Sequence, residues 1–225
     1  MIWGIAAAVL MALAALKFVT KRLPGRRLDA FARRIHPYAS AGALTVCAAH
    51  VAVTFGLLPQ RPAAMVAAGI VMAAALLAAV LSRVLARRMG RRWLTVHRAA
   101  TLAACAALVA HIALGVAGFG AYQRAIAALD VPDIALTGVA DGTYEGECDA
   151  GYIRARVEVT VEDGRITEIG LLEHRNERGA AAEALLPEVV EAQSLDVDAV
   201  SGATNSSKVI RQAIADALEK GMKHQ

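Results

Sequence analysis

Two sets of residues in this sequence have types and spacings that do chemistry. The first is four histidines, His36 and His50 in "HPYASAGALTVCAAH" and His97 and His111 in "HRAATLAACAALVAH", each pair 14 residues apart. Fourteen positions are close to four turns at 3.6 residues per turn, so each pair shares one helix face with its imidazoles about 21 Å apart along the axis. Imidazoles on facing helices bind metals, haem iron included. The second set is "DAVSGATNSS", residues 198–207, where Asp198, Ser201, Thr204, Ser206 and Ser207 surround Gly202 and Ala203 just before an amphipathic helical pattern. One hydroxyl suffices to cap a helix. A glycine allowing close backbone approach, followed by a helix N-terminus with unpaired N–H groups, is also a phosphate site. The local pattern alone fits a cap by Ser206 or Ser207 equally well.

The elements that must position these two sets differ in kind. The chain has 225 residues, 57% of them hydrophobic, with a mean hydropathy of +0.47. That is too apolar for an ordinary soluble domain. Residues 1–129 hold 15 Lys/Arg and a single acid, Asp29, whereas residues 130–225 hold 9 Lys/Arg and 19 Asp/Glu. A basic, alanine-rich half therefore precedes an acidic one. The arginines of the first half lie between apolar runs and form no basic face, which argues against nucleic acid as a partner. Cys47, Cys105 and Cys148 form no CxxC or CxxCH pattern, so disulfide, zinc and c-type haem frameworks lack support.

Four apolar stretches, near 2–20, 38–58, 62–82 and 93–119, reach the roughly 20 residues that cross a bilayer. The first carries its positive charges after the apolar core, unlike a cleavable signal. "KRLPGRRLDAFARR" and "ARRMGRR" are strongly basic, while "PQRP" carries only Arg61. Positive loops stay in the cytoplasm, so the N-terminus and everything after the fourth span are expected outside. Spans two and four then run in parallel, pairing His36 with His97 on the inner side and His50 with His111 on the outer. Pro37 disfavours helical geometry at His36 and predicts a kink or helix start there. The alternative is that each histidine is a lone packed residue, although intramembrane ionisable groups are commonly functional. A metal-ion transporter would also recruit carboxylates, and the spans contain none.

In the acidic half, "DGTYEGECDAGYIRARVEVTVEDGRITEIGLLEHR" predicts three strands, with Ile153, Ala155, Val157, Val159 and Val161 alternating with polar residues and Asp163-Gly164 as a hairpin turn. "GAAAEALLPEVVEAQS" predicts a helix interrupted or restarted at Pro187, and the last 20 residues an amphipathic helix carrying Val209, Ile210, Ile214 and Leu218. His174 reads as a surface residue at a strand end, His224 as tail, and Tyr144 as core. The expected fold is a membrane all-α four-helix bundle (1–119), a linker (120–139) and a small soluble α+β domain (140–225).

The histidine arrangement resembles ferric-reductase-like and related b-type cytochrome membrane domains over residues 28–118. That resemblance implies two stacked haem b groups held by His36, His50, His97 and His111. "DAVSGATNSS" resembles, position by position, the flavinylation motif Asp-x-x-Ser/Thr-Gly-Ala-Thr-x-x-Ser/Thr of the FMN-binding domain family. This family includes the flavin-carrying subunits of sodium-pumping quinone reductases and Rnf complexes. "DGTYEGE", "VEVTVEDGRITEI" and "LPEVVEAQSLDVDAV" extend the resemblance over 140–219. It implies FMN in phosphoester linkage to Thr204, installed outside the cytoplasmic membrane by a flavin transferase. Asp198, Ser201, Gly202, Ala203 and Ser207 then fill the rest of the site, with Ser207 as the second acceptor.

Together these readings predict an oxidoreductase-type flavocytochrome in the lipid bilayer. It would carry electrons between two b haems and a covalent FMN, outward to an extracytoplasmic acceptor or reductase, with redox partners on both sides or in the quinone pool. The alternatives are a haem-free, membrane-anchored flavin carrier of a larger redox complex, and a terminal extracytoplasmic reductase.

Overall fold

The structure, a computed structural model, describes residues 2–22, 26–132, 134–176 and 178–222. It divides into two compact units, Met1–Val116 and Ala117–Gln225.

The first unit is helical: α1 (Ile2–Thr20), α2 (Arg26–Thr54), a 3-10 turn at Phe55–Gln60, α3 (Ala63–Val84), a short α4 (Ala86–Met89) and α5 (Arg92–Ala128) as far as Val116. Four helices, Ile2–Thr20, Arg27–Gln60, Ala63–Val84 and Arg92–Ala128, are long and apolar enough to cross a membrane. Small side chains make the interior. Ala32, Ala39, Ala43 and Cys47 are buried along α2, and Ala104 and Ala107 along α5. Met11, Met72 and Leu76 pack with Ala43, Cys47, Ala104 and Ala107. The large aliphatics point outward, with Ile70, Val109 and Val116 at 64%, 67% and 69% exposure. Small residues inside and bulky ones outside are what helices need to approach closely in a lipid phase, where burying an apolar group between helices gains nothing over lipid.

Helix α2 begins at Arg26 and runs through Pro37, so of the kink or helix start that Pro37 predicts, a helix start is not what is found, and His36 lies in the helix interior. A proline removes one intrahelical donor and not the whole ladder. The only acid of this half, Asp29, accepts from Thr20 Oγ1 at 3.3 Å and pairs with Arg33 one turn on.

The second unit starts with the end of α5. It continues through a 3-10 turn at Leu136–Gly138, β1 (Gly142–Asp149), β2 (Arg154–Glu162), β3 (Arg165–Arg175), a second 3-10 turn at Ala180–Ala184, α6 (Leu185–Ala192) and α7 (Thr204–Met222). The strands form an antiparallel sheet in the order β1-β2-β3. β2 alternates as its sequence predicts: Ala155, Val157, Val159 and Val161 are fully buried. Asp163 and Gly164 take φ of 52° and 68° between paired Glu162 and Arg165, the left-handed pair of a two-residue hairpin turn.

Two glycines let α7 lie on the sheet. A Cβ at Gly146 would stand 2.0 Å from the Ala213 carbonyl oxygen and 2.5 Å from the Ala217 nitrogen. One at Gly221 would meet Val139 and Tyr144 at 2.6 and 2.8 Å. Ile210, Ile214 and Leu218 fill the core beneath. Residues 120–128, which composition alone marks as linker, are helical, and Tyr122 and Ile126 are buried in this core.

Candidate functional site

The loop before α7 is held from below. Gln193 takes a left-handed φ of 53° at the end of α6, and its side chain accepts from Ile166 N at 2.9 Å and donates to Ile166 O at 2.8 Å. Arg211, on α7, donates to the Val197 carbonyl at 2.9 Å. Next comes a tight turn in which Ala203 N donates to Val200 O at 2.9 Å. Gly202 supplies the φ of 78° that its third position requires. Ser207 fastens this turn to the helix: its Oγ accepts from Val200 N at 3.1 Å and donates to Ala203 O at 3.2 Å.

This geometry sorts the hydroxyls. Ser206 and Ser207 are buried at 1% and 0% exposure, whereas Asp198, Ser201, Gly202 and Thr204 are exposed. Ser207 therefore offers no open oxygen as the second acceptor that the motif suggests, because its hydroxyl is committed to the turn. Ser206 sits under Gly179, where a Cβ would lie 1.9 Å from its Oγ. Thr204 is the first residue of α7, and the residue before it, Ala203, has no side chain able to cap. Among the described residues no side chain accepts from the N–H groups of Thr204, Asn205 or Ser206. An exposed hydroxyl thus stands beside uncapped donors at the positive end of a helix dipole, a setting that binds a phosphate group.

One side chain differs from its sequence reading. His174 is buried, its side chain 2% exposed, with Nδ1 at 2.8 Å from Glu183 Oε1. Cys148 is buried too. Burial, reinforced by Asp149, Asp216 and Glu147, pushes its thiol up to about 11. His224 lies outside the described residues.

In the helical unit the four histidines fall on the small-residue stripes of α2 and α5, all half-buried. His36 and His97 meet with ring centroids 6.0 Å apart and planes at 81°. Each donates from Nδ1 to a carbonyl of the preceding long helix, His36 to Ala14 and His97 to Ala79, both at 2.9 Å. His111 donates likewise to Met65 O at 2.9 Å. A carbonyl only accepts, so Nδ1 carries the proton in these three and Nε2 is left as the ligand nitrogen. Among the described residues no group of three or more His, Cys, Asp or Glu converges as a metal site. An iron held in a porphyrin needs only two axial imidazoles. Two nitrogens each about 2 Å from one metal put the ring centroids on the order of 6 Å apart, and the inner pair has that spacing.

The supports recur in both halves of this unit, which the histidine spacing alone does not reveal. A Cβ at Gly4 would stand 3.3 Å from His50, and one at Gly69 would stand 3.1 Å from His111. Gly4 and Ala14 are ten residues apart on α1, as are Gly69 and Ala79 on α3. Ser40 donates to His36 O at 2.8 Å, and Thr101 donates to His97 O at 2.7 Å. The hairpin α1–α2 and the pair α3 and α5 thus carry one pattern twice. The sequence signal was present, in "GIAAAVLMALA" and "GIVMAAALLAA", but it reads as generic membrane helix without the contacts.

Comparison with known proteins bears on the second unit. An uncharacterized protein of Treponema pallidum (strain Nichols) is 32% identical over 83 residues, which cover 36% of this chain and 23% of that protein. The chain therefore spans about a quarter of the length of the curated relative it matches. Residues 151–219, which hold β2, β3, α6, the Thr204 loop and most of α7, match the family described as FMN-binding domain.

Proposed function

We propose that this chain is a membrane flavocytochrome. FMN is joined through its phosphate to Thr204, haem b is held by His36 with His97 and by His50 with His111, and electrons pass across the membrane to the flavin. The observation that carries the reading is the doubled histidine pattern: paired imidazoles on interior stripes, with Nδ1–H bonded away in three of the four. A lone packed histidine has no need of a second copy of its carbonyl, hydroxyl and glycine neighbours.

At the other end, Thr204 Oγ forms a P–O bond to the FMN phosphate with net loss of water, catalysed by a separate flavin transferase. The uncapped N–H groups of α7 then hold the phosphate charge. Asp198 and Ser201 line the open side of the loop, and Ser207 keeps it in shape.

The basic loops support the direction. Those between the first two spans and the last two, with their flanks, hold 12 Lys/Arg, against Arg61 alone in the remaining connection. That bias supports a flavin domain outside the cytoplasm. Electrons then leave outward to an extracytoplasmic acceptor or reductase, from a cytoplasmic donor or the quinone pool.

The test is an optical spectrum and an intact mass on protein expressed with a flavin transferase and sufficient haem. The expected result is a reduced b-type band and a gain of one FMN less water, with the gain absent in Thr204→Ala. A flavin adduct without any haem band would leave a haem-free flavin carrier.

A further inference from the structure

We propose that the C-terminal end of α5 is the floor on which the flavin ring lies, with Phe119 as its stacking face and Tyr122 as the residue that fixes this floor to the flavin-bearing loop. The inference rests on Thr204 as the FMN carrier. It concerns residues outside the 151–219 segment that matches the FMN-binding domain.

Asn205, the residue after Thr204, donates from Nδ2 to Tyr122 Oη at 2.7 Å. The first turn of α7 is therefore tied by a side-chain bond to α5. Tyr122 is 9% exposed, and its ring lies between two others, Tyr152 at 5.5 Å and Phe119 at 6.0 Å between centroids. Buried tyrosine hydroxyls find partners, and this one has found the residue next to the proposed attachment point.

Phe119 ends the row, and it is 53% exposed. Residues 119, 122 and 126 share one helix face by their i, i+3 and i+7 spacing. Tyr122 and Ile126 on that face are buried in the core of the C-terminal unit. Phe119 is thus the open outer member of a face that belongs to this unit.

The chemistry of the ligand suits the place. FMN carries a flat, apolar tricyclic ring on a ribityl phosphate chain. From Thr204 Oγ to the ring is about eight bonds of roughly 1.5 Å, a reach on the order of 10 Å. A flat ring of this kind stacks on an aromatic face. The phenol of Tyr122, one ring further, is an electron donor that quenches flavin emission at short range.

The test uses the full-length flavinylated chain and reads intact mass, flavin emission yield and anisotropy, and visible circular dichroism. Phe119→Trp puts a strong quencher at contact distance and is expected to lower emission several-fold. Phe119→Ala is expected to lower anisotropy and the visible dichroism, and Tyr122→Phe to raise emission. All three keep the mass of the adduct, so attachment and stacking are read separately. Unchanged emission in Phe119→Trp together with unchanged dichroism in Phe119→Ala, adduct present, would overturn the floor while leaving Thr204 as carrier. A wild-type chain that gains no flavin would overturn both.

Discussion

Thr204 and Ser207 stand one helical turn apart in surroundings of opposite kind, and substitutions at the two should separate cleanly. Ser207→Ala removes the acceptor of Val200 N–H and a donor to Ala203 O, a loss of about 1–3 kcal/mol for a buried group left unpaired. The expected outcome is a lower melting temperature with the flavin adduct retained by mass. Thr204→Ser keeps a hydroxyl at the start of α7 and should still be flavinylated. Cys148 allows a test that needs no flavin. Its thiol is raised from the ordinary 9.0 to about 11, so the folded state favours the protonated form. That contribution is complete below pH 9 and is lost as pH rises through about 11, where the folded thiol ionises. Thermal melts should fall over that window in wild type and fall less in Cys148→Ala. At neutral pH the thiol of the folded chain should resist alkylation, since the thiolate is the reactive form.

Helices and strands announced themselves through periodicity, because water on one side and core on the other impose it. The alternation in β2 was legible for that reason, the Asp163-Gly164 turn from its residue types, and the four spans from the length of their apolar runs. Contacts that depend on close approach were not. Nothing in "GTYEGECD" marks Gly146 as the point where α7 touches β1, since the reason is an Ala213 carbonyl far along the chain. Gly146→Ala should cost about 3 kcal/mol in the C-terminal unit, as overpacking against a backbone that cannot yield, measured by chemical denaturation. The burial of His174 was hidden likewise, because Glu183 comes to it from another element. In the helical unit, Gly69 was one glycine among many until His111 was found against it. Gly69→Val should displace that imidazole; if the histidines hold haem as proposed, the spectrum of the outer haem should change and that of the inner one should not.

For the molecule as a whole, the sidedness of the second unit decides which partners it meets. Buried Cys148 is a poor reporter, so a cysteine is better placed on the exposed hairpin, as Glu162→Cys in a Cys148→Ala background. A membrane-impermeant maleimide should label it in intact cells; labelling only after the membrane is opened would put the flavin on the cytoplasmic side. The doubled pattern of the helical unit has a further meaning. A hairpin that faces a copy of itself is half of a twofold dimer, in which any change strikes both ligands of one site at once. Joined in one gene, the halves are released from that constraint. Ala32 and Trp93, equivalent under the 61-residue offset of the histidines, already differ, and only Trp93 sets a ring 6.1 Å from its histidine and lies under the Arg83 guanidinium. In a single chain the two imidazoles of the inner pair can thus sit in unlike surroundings, which a twofold dimer forbids.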